Sequence, residues 1–205
     1  MTEAADPAGA MGEPLLDFLD DMRRLRRDCP WKREQTHRSL ARYLQEEAAE
    51  TVEAIDTGDD AHLREELGDL LLQVYFHAVI AEETGAFTID DVARDISDKM
   101  HRRNPHVFGA TSPTTLSAAE VDAQWQQIKA TEKARRSPYD GIAPGLPALL
   151  LATKILERTP AAEPTSSDDV GDRLLALVRE ALDEGIDPEQ ALRDAVRRAV
   201  SYSGA

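Results

Sequence analysis

The sequence has 205 residues and a formal net charge of −15, which leaves room for one domain with an appendage and argues against broad affinity for nucleic acid or anionic membranes. Apolar residues make up 41% of the chain and aromatic residues only 5%, a balance that favours helices over a β-sandwich or barrel. The single cysteine, Cys29, excludes an intrachain disulfide, and the sequence shows neither a signal-peptide pattern nor an apolar run of about 18 residues. We therefore expect a cytoplasmic protein that binds neither membranes nor nucleic acid. Lys and Arg residues cluster in 23–42 and 94–136, so small phosphate ligands remain compatible with the acidic charge.

Apolar residues recur at helical spacing along nearly the whole chain, and no segment alternates as a strand does. The predicted fold class is therefore all-α, a helical bundle. In chain order, the predicted helices span about residues 15–27, 37–56, 61–83, 89–103, 117–136, 146–158, 169–184 and 188–200. Thr36 or Ser39 and Thr88 are the predicted N-caps of the second and fourth helices. The segments between helices include a predicted flexible tail at 1–14, a loop at 104–115 and a linker at 159–168.

The short turn "DTGDD" joins the second and third predicted helices, which indicates an antiparallel helix hairpin. Each of these helices carries an apolar stripe that we expect to face the core. The stripe residues are Leu40, Leu44, Ala48, Val52 and Ile55 in the second helix and Leu63, Leu67, Leu70, Val74 and Ala78 in the third.

Four acidic residues lie beside these stripes at matching positions. Glu47 and Glu50 lie on one shoulder of the second helix, and Glu66 and Asp69 lie on the corresponding shoulder of the third, at the same depth from the turn. The two shoulders either face each other across one seam or both face away. Four carboxylates at one level beside a core are costly unless a cation compensates them, and oxygen ligands alone suit Mg²⁺ or Mn²⁺.

The alternative is an ordinary solvated acidic face, which is the usual explanation for Glu residues on a helix. A helical-wheel projection places Glu46 and Glu53 on the outer face of the second helix, away from the predicted ligands. Two acidic pairs matched in face and depth favour the metal site over that alternative.

Several segments together resemble one known family. The acidic residues form the pattern E-E-x-x-E followed by E-x-x-D, as "EEAAE" at 46–50 and "ELGD" at 66–69, which resembles the MazG-type nucleoside triphosphate pyrophosphohydrolases of the all-α NTP pyrophosphatase group. The likeness covers about residues 15–158. Besides the acidic motif it includes "LLDFLDDMRRLRRDCPW", "QTHRSL", "ISDKMHRRNPHVFG", "WQQIKATEK" and "LPALLLATKI".

The resemblance implies an Mg²⁺-dependent enzyme that hydrolyses NTPs or dNTPs to the monophosphate and pyrophosphate, with water attacking the α-phosphorus, in an intertwined helical homodimer that maintains the nucleotide pool. Carried over by position, the metal ligands would be Glu47, Glu50, Glu66 and Asp69. Lys99, Arg103 and Lys129 would contact phosphates, and Trp125 would contribute to the nucleotide pocket. Because Glu46 points away from the predicted ligands, we assign it only an auxiliary catalytic role.

Two features depart from the family pattern. Lys32 follows Trp31 in "CPWKREQT", where the family usually has Asp, so the role of this loop is open. The region 169–205 carries "DVGD" but no preceding E-E-x-x-E, and we expect an inactive helical tail that is either a decayed half-repeat or a chance similarity between amphipathic helices.

Two other hypotheses remain at this level. The chain could be a related hydrolase restricted to one class of nucleotide, or a catalytically idle protein that senses nucleotides or metal and binds a partner. An acidic interaction protein without a metal is the weakest alternative.

Overall fold

The computed structural model describes residues 12–109, 116–132, 137, 139–159 and 169–203. These residues form ten helices and no strand, which confirms the predicted all-α class. The helices are α1 (Glu13–Asp28), α2 (Pro30–Glu34), α3 (His37–Thr57), α4 (Asp60–Glu83), α5 (Ile89–Arg103), α6 (Pro105–Phe108), α7 (Ala118–Glu132), α8 (Ala148–Arg158), α9 (Val170–Asp183) and α10 (Pro188–Ser203). None of the described helices is both long enough and apolar enough to cross a lipid bilayer.

The predicted helices agree with the structure to within about two residues at most ends. Two short helices were missed, α2 and α6, because Pro30 and Pro105 were interpreted only as helix breakers. Each proline instead occupies the first turn of a new helix, where its missing N–H costs nothing. The predicted linker at 159–168 lies outside the described residues except for Thr159. The predicted tail at 1–14 also lies outside them except for residues 12–14. Of these three, Glu13 and Pro14 already belong to α1.

The described residues divide into two compact units, one ending at Gly109 and the other beginning at Leu116. In the second unit α8, α9 and α10 pack on one another, with Leu156 and Val178 buried. The predicted domain of 15–158 crosses this division and stays a prediction.

The hairpin of α3 and α4 dominates the first unit, as predicted. Thr36 caps α3, its hydroxyl accepting from the Ser39 N–H while Ser39 reciprocates. The helix ends at Gly58, whose φ of 70° lies in the left-handed region that glycine adopts without strain. Asp59 then caps α4 by accepting from two backbone N–H groups. These local signals fix the length of the turn and hence the pairing depth of the two helices.

The core of the first unit lies where α1 crosses the far end of this hairpin. Its buried members are Leu19 and Met22 from α1, Leu40 from α3, and Tyr75, Phe76, Val79 and Ile80 from α4. The core therefore occupies only the end of the hairpin away from the turn.

The predicted apolar stripes are confirmed only in part: Leu40 and Ala78 are buried and three members are half-buried, but the other half of the stripe residues are exposed. In α3, Leu44 and Ala48 are exposed and Ile55 is 57% exposed, while the buried residues are Leu40, Thr51 and Ala54. In α4, Leu67 and Val74 are exposed, whereas Glu66 and Gln73 are buried. α3 and α4 pack against each other through the faces that carry the acidic residues. Polar side chains therefore fill the interface between the two helices. The displaced stripes form an apolar surface on the hairpin.

Arg26 ties α1, α4 and the segment around α2 together. Its buried guanidinium bonds both carboxylate oxygens of Glu83, at 2.8 and 2.6 Å, and lowers the pKa of that carboxyl. A third nitrogen donates to the backbone carbonyls of Lys32 and Gln35. The short helix α2, which carries Trp31, is therefore tied to α1 by this side chain.

We expect Arg26→Lys to lower the free energy of unfolding by about 1–3 kcal/mol, because an ammonium group cannot serve the carboxylate and both carbonyls together. Urea unfolding measures the change. Arg24→Lys is the matched control, since Arg24 is exposed on the same helix and pairs only with Asp28. An equal loss of unfolding free energy in both variants would contradict the role assigned to Arg26.

His37 and His77 connect α3 and α4 at the end of the hairpin away from the turn. Their Nδ1 atoms lie 2.8 Å apart and their rings stack with centroids 5.1 Å apart, so one ring must donate and the other accept. Burial, and secondly the charge of His37, lower the pKa of His77 below 6.5. The pair is compatible with one neutral acceptor ring and not with two charged rings.

This pair predicts a pH dependence of stability. Between the lowered pKa of the folded chain and the ordinary value of about 6.5, the unfolded chain binds more protons than the folded chain. Stability is therefore present above that window and is lost as the pH falls through it. Thermal unfolding followed from pH 8 to pH 5 should show this fall, and His77→Asn should flatten it, whereas His37→Asn should reduce it only in part because burial is the larger cause. His101→Asn removes an exposed histidine of α5 and should leave the pH dependence of the melting temperature as in the wild type. If His101→Asn flattened that pH dependence as well, the prediction would be wrong.

Candidate metal and active site

Three acidic residues meet in the seam of the hairpin. Glu47 of α3 and Glu66 and Asp69 of α4 each offer a carboxylate oxygen, and these three atoms all lie within 4.8 Å of one another. Of the two arrangements that the sequence left open, the structure shows the one in which the acidic shoulders face each other.

Burial makes this cluster costly without a cation. Glu66 is only 8% exposed, and its buried Oε2 atom has no hydrogen-bond partner among the residues that the structure describes. A buried carboxylate oxygen without a donor loses its hydration without compensation. The orphaned oxygen is thus placed to bind a cation.

Repulsion within the cluster is visible at Glu47. Burial is the first cause that raises the pKa of Glu47, followed by the charges of Asp69 and Glu50. A hydrogen bond from Gln73 acts in the opposite direction and does not cancel these effects. A bound divalent cation would favour the ionised carboxylates and remove the repulsion.

Polar side chains of the hairpin contact two of these carboxylates. The Nε2 atom of His62 lies 3.1 Å from Oε1 of Glu66, one helical turn away, which leaves Oε2 for a ligand. The buried Gln73 donates from Nε2 to Oε1 of Glu47 at 3.4 Å. Thr51 donates to the backbone carbonyl of Glu47 at 2.7 Å. The sequence analysis missed the contacts of His62 and Gln73 with the acidic residues. The four-residue spacing of His62 and Glu66 could have indicated the first contact, whereas nothing in the sequence indicates the contact of Gln73.

Glu50 and Glu46 lie at the margin of the cluster. Glu50 is exposed and outside the group of three, yet its carboxyl is close enough to that of Glu47 to share a hydrogen bond and to raise the Glu47 pKa. Glu46 and Glu53 are exposed. The structure therefore brings together three of the four predicted ligands and leaves the fourth beside them.

Comparison with known proteins agrees with this geometry. Residues 35–108, which contain the whole hairpin, match the profile of the MazG nucleotide pyrophosphohydrolase domain. A nucleoside triphosphate pyrophosphohydrolase/pyrophosphatase MazG of Thermotoga maritima is 38% identical over 94% of this chain and 84% of its own length. The chain belongs to the MazG family.

Other proteins are also similar to this chain. An uncharacterized 26.1 kDa protein of Streptomyces cacaoi is 45% identical, covering 92% of this chain and 83% of that protein. A nucleoside triphosphate pyrophosphohydrolase of Mycobacterium tuberculosis is 43% identical over 93% of this chain but only 57% of its own length. The solved structure of a MazG-related protein from Thermotoga maritima aligns with a TM-score of 0.47 and 27% identity over 57% of this chain and 97% of that one. The family profile and the relatives named nucleoside triphosphate pyrophosphohydrolase confirm the predicted resemblance to the MazG family.

The predicted phosphate and nucleotide contacts fall in both units. Lys99 and Arg103 lie one turn apart on α5, which packs against α4, and both are half-buried. Trp125 and Lys129 lie one turn apart on α7 of the second unit, also half-buried. Their roles stay predictions.

Lys32, which departs from the MazG pattern, lies against aromatic rings. Its Nζ atom is 5.1 Å from the ring centroid of Phe76 and 5.7 Å from that of Trp31. The ammonium group therefore makes cation–π contacts and packs over one edge of the core.

The donor set is compatible with a hard divalent cation. Only carboxylate oxygens converge, and no histidine nitrogen or thiolate belongs to the group found among the described residues. Three carboxylates leave several coordination positions for water or a ligand, as hard cations such as Mg²⁺ require. The site can thus hold a cation that remains accessible to a substrate.

His62 should influence the affinity for metal. We expect His62→Ala to weaken binding of Mg²⁺ or Mn²⁺ by about tenfold, the low end for groups that orient a ligand from behind, because His62 is itself partly exposed. The measurement is the metal concentration that gives half of the maximal rise in melting temperature. His101→Ala serves as the control. An unchanged midpoint in His62→Ala would show that the Glu66 carboxylate needs no orienting partner.

Proposed function

We propose that this chain hydrolyses nucleoside triphosphates to the nucleoside monophosphate and pyrophosphate in an Mg²⁺-dependent reaction, with Mn²⁺ as a possible substitute. The observation that carries the proposal is the cluster of Glu47, Glu66 and Asp69 with its orphaned, buried carboxylate oxygen. Membership of the MazG family and the printed activity of its relatives support the same reaction.

Each predicted site residue has a role in this proposal. Glu47, Glu66 and Asp69, joined by Glu50, hold the cation, which supplies Lewis-acid polarisation and a lowered pKa of the attacking water. Lys99, Arg103 and Lys129 neutralise charge on the triphosphate and on the leaving pyrophosphate. Trp125 contacts the nucleotide, and Glu46 assists from the margin of the cluster. Water attacks the α-phosphorus, the bond from that phosphorus to the bridging oxygen breaks, and pyrophosphate leaves.

The hairpin also supports a homodimer. The displaced stripes leave Leu44, Ile55, Leu67 and Val74 exposed on one hairpin. An apolar surface of this kind on a water-exposed helix pair is typical of an interface. We infer that a second copy covers it, that the protein works in the cytoplasm, and that the region 169–205 is an inactive tail.

Replacing two ligands should remove the activity. We expect the Glu47→Ala and Asp69→Ala double variant to lose at least about a hundredfold in kcat/KM, because metal catalysis supplies several kcal/mol of transition-state stabilisation. Glu53→Ala is the control, an exposed carboxylate on the same helix. Chromatography of the products from a panel of NTPs and dNTPs, with Mg²⁺ present or withheld, is the measurement.

The products discriminate the alternatives. Monophosphate and pyrophosphate that appear only with metal agree with the proposal and rank the substrates, including a restricted class of nucleotide. Diphosphate and orthophosphate would mean that another bond is cleaved. Nucleotide binding without turnover would mark an idle sensor, and wild-type turnover in the double variant would refute the assignment of the ligands.

A further inference from the structure

Two buried polar atoms of α4 have no hydrogen-bond partner among the described residues and take no part in the proposed reaction. They are Oε1 of Gln73 and Nε2 of His77. The two residues are four positions apart, so their side chains lie on one face of the helix, one turn from each other. Buried polar atoms are normally satisfied, and two unsatisfied atoms at this spacing therefore call for an explanation.

Each of these two side chains contacts α3 through its other polar atom. Nε2 of Gln73 donates to Oε1 of Glu47 at 3.4 Å, and Nδ1 of His77 lies 2.8 Å from Nδ1 of His37, with the two ring planes only 4° apart. Gln73 is buried, whereas His37 is exposed. Along α3, His37 and Glu47 are separated by roughly 15 Å. Gln73 and His77 therefore connect a surface histidine with a residue of the acidic cluster.

The direction of these hydrogen bonds follows from the chemistry of the groups. An ionised carboxylate only accepts, so Gln73 turns its amide nitrogen to Glu47 and its oxygen the other way. Burial lowers the pKa of His77, so its ring is neutral at neutral pH and carries one N–H. If that hydrogen is on Nε2, Nδ1 accepts from His37 and Nε2 supplies the donor that Oε1 of Gln73 lacks. If it is on Nδ1, two buried acceptors stay unsatisfied, which is the costlier arrangement.

We propose that His37, His77 and Gln73 form one hydrogen-bonded relay that ends on Glu47, and that His77 and Gln73 are positioning residues for this metal ligand. A hydrogen bond, direct or through one water molecule, joins Nε2–H of His77 to Oε1 of Gln73. Every donor in the relay then points towards Glu47, and hydrogen bonds in series polarise one another. The inference rests on the proposed function and deepens it, because it takes Glu47 as a ligand of the cation.

The relay has a physical task at the acidic cluster. The charges of Asp69 and Glu50 repel the carboxylate of Glu47, and the amide of Gln73 opposes that repulsion. An amide whose oxygen is also bonded cannot rotate away, so it keeps the carboxylate directed as a cation requires. Groups that orient a metal ligand in this way raise the affinity for the metal without touching it.

The test measures metal binding, so that it does not depend on turnover. Mn²⁺ is titrated without nucleotide, and the free aqua ion is quantified by electron paramagnetic resonance. Gln73→Met keeps the length of the side chain and removes its amide. His77→Asn and His77→Gln are a matched pair, because an Asn amide lies about where Nδ1 of histidine lies and a Gln amide about where Nε2 lies.

Phe76→Leu is the control for a general loss of stability, since Phe76 is a buried core residue of the same helix. It should lower the melting temperature and leave the affinity for Mn²⁺ unchanged. Circular dichroism melting verifies that each variant is folded.

Gln73→Met should weaken Mn²⁺ binding roughly ten- to hundredfold, the range for loss of a group that orients a metal ligand. His77→Asn should cause a smaller loss, and His77→Gln should bind Mn²⁺ nearly as the wild type does, because it keeps a donor for Gln73. The double variant of Gln73→Met and His77→Asn should bind Mn²⁺ as Gln73→Met alone does, since groups in series are not additive.

The direction of the relay has a spectroscopic test on the wild-type side chains. Two-bond ¹H–¹⁵N correlation spectra at pH about 8, above the ordinary histidine pKa, distinguish the two neutral tautomers of a ring. The His77 signal, assigned by its loss in His77→Gln, should show hydrogen on Nε2. In His37→Ala both tautomers should appear, because Nδ1 of His77 no longer has a donor.

Hydrogen on Nδ1 of His77 in the wild type would overturn the inference, as would wild-type Mn²⁺ affinity in Gln73→Met or an equal loss in His77→Asn and His77→Gln. An unchanged tautomer in His37→Ala would remove His37 from the relay. Hydrolysis is scored separately: Mn²⁺ binding that depends on Gln73 without any turnover refutes only the proposed reaction, and turnover with Mn²⁺ binding independent of Gln73 refutes only the relay. A wild type that binds no Mn²⁺ refutes both.

Discussion

The hairpin depends on carboxylates that face each other across a helix seam. Most antiparallel helix pairs bury an apolar stripe there, but α3 and α4 bury Glu66, Thr51 and Gln73 beside Glu47. Like charges held in a seam oppose folding, and part of that cost remains in the raised pKa of Glu47. A seam of this kind replaces apolar contacts with a ready cation site, a compromise between stability and function.

Stability must then come from elsewhere in the first unit. The apolar core lies at the end of the hairpin away from the turn, where α1 crosses it through Leu19 and Met22. Arg26 adds a buried ion pair to Glu83 and two bonds to the loop before α3. The same crossing helix thus supports the core and fixes the position of α2, which carries Trp31.

Much of this arrangement follows from local rules. Helical periodicity predicted nearly every long helix, and the caps at Thr36 and Thr88 were correct because capping depends on residues three apart. The turn at Gly58 fixes the depth at which α3 and α4 pair, so the sequence correctly placed Glu47 level with Glu66 and Asp69. The short helices α2 and α6 were missed because proline both ends one helix and begins the next.

By itself, the sequence determined the helices, the hairpin, the level of the acidic residues and their resemblance to the MazG family, since all of these depend on residue spacing. Only the tertiary structure decided which faces of α3 and α4 meet. The apolar stripes were expected inside, yet Leu44, Ile55 and Leu67 are exposed. A wheel gives the angles between residues on one helix but not the rotation of that helix against its partner, and apolar residues also cover much of any protein surface. The contact of Gln73 with Glu47 joins the two helices and depends on that rotation, and for that reason it emerged only from the folded chain.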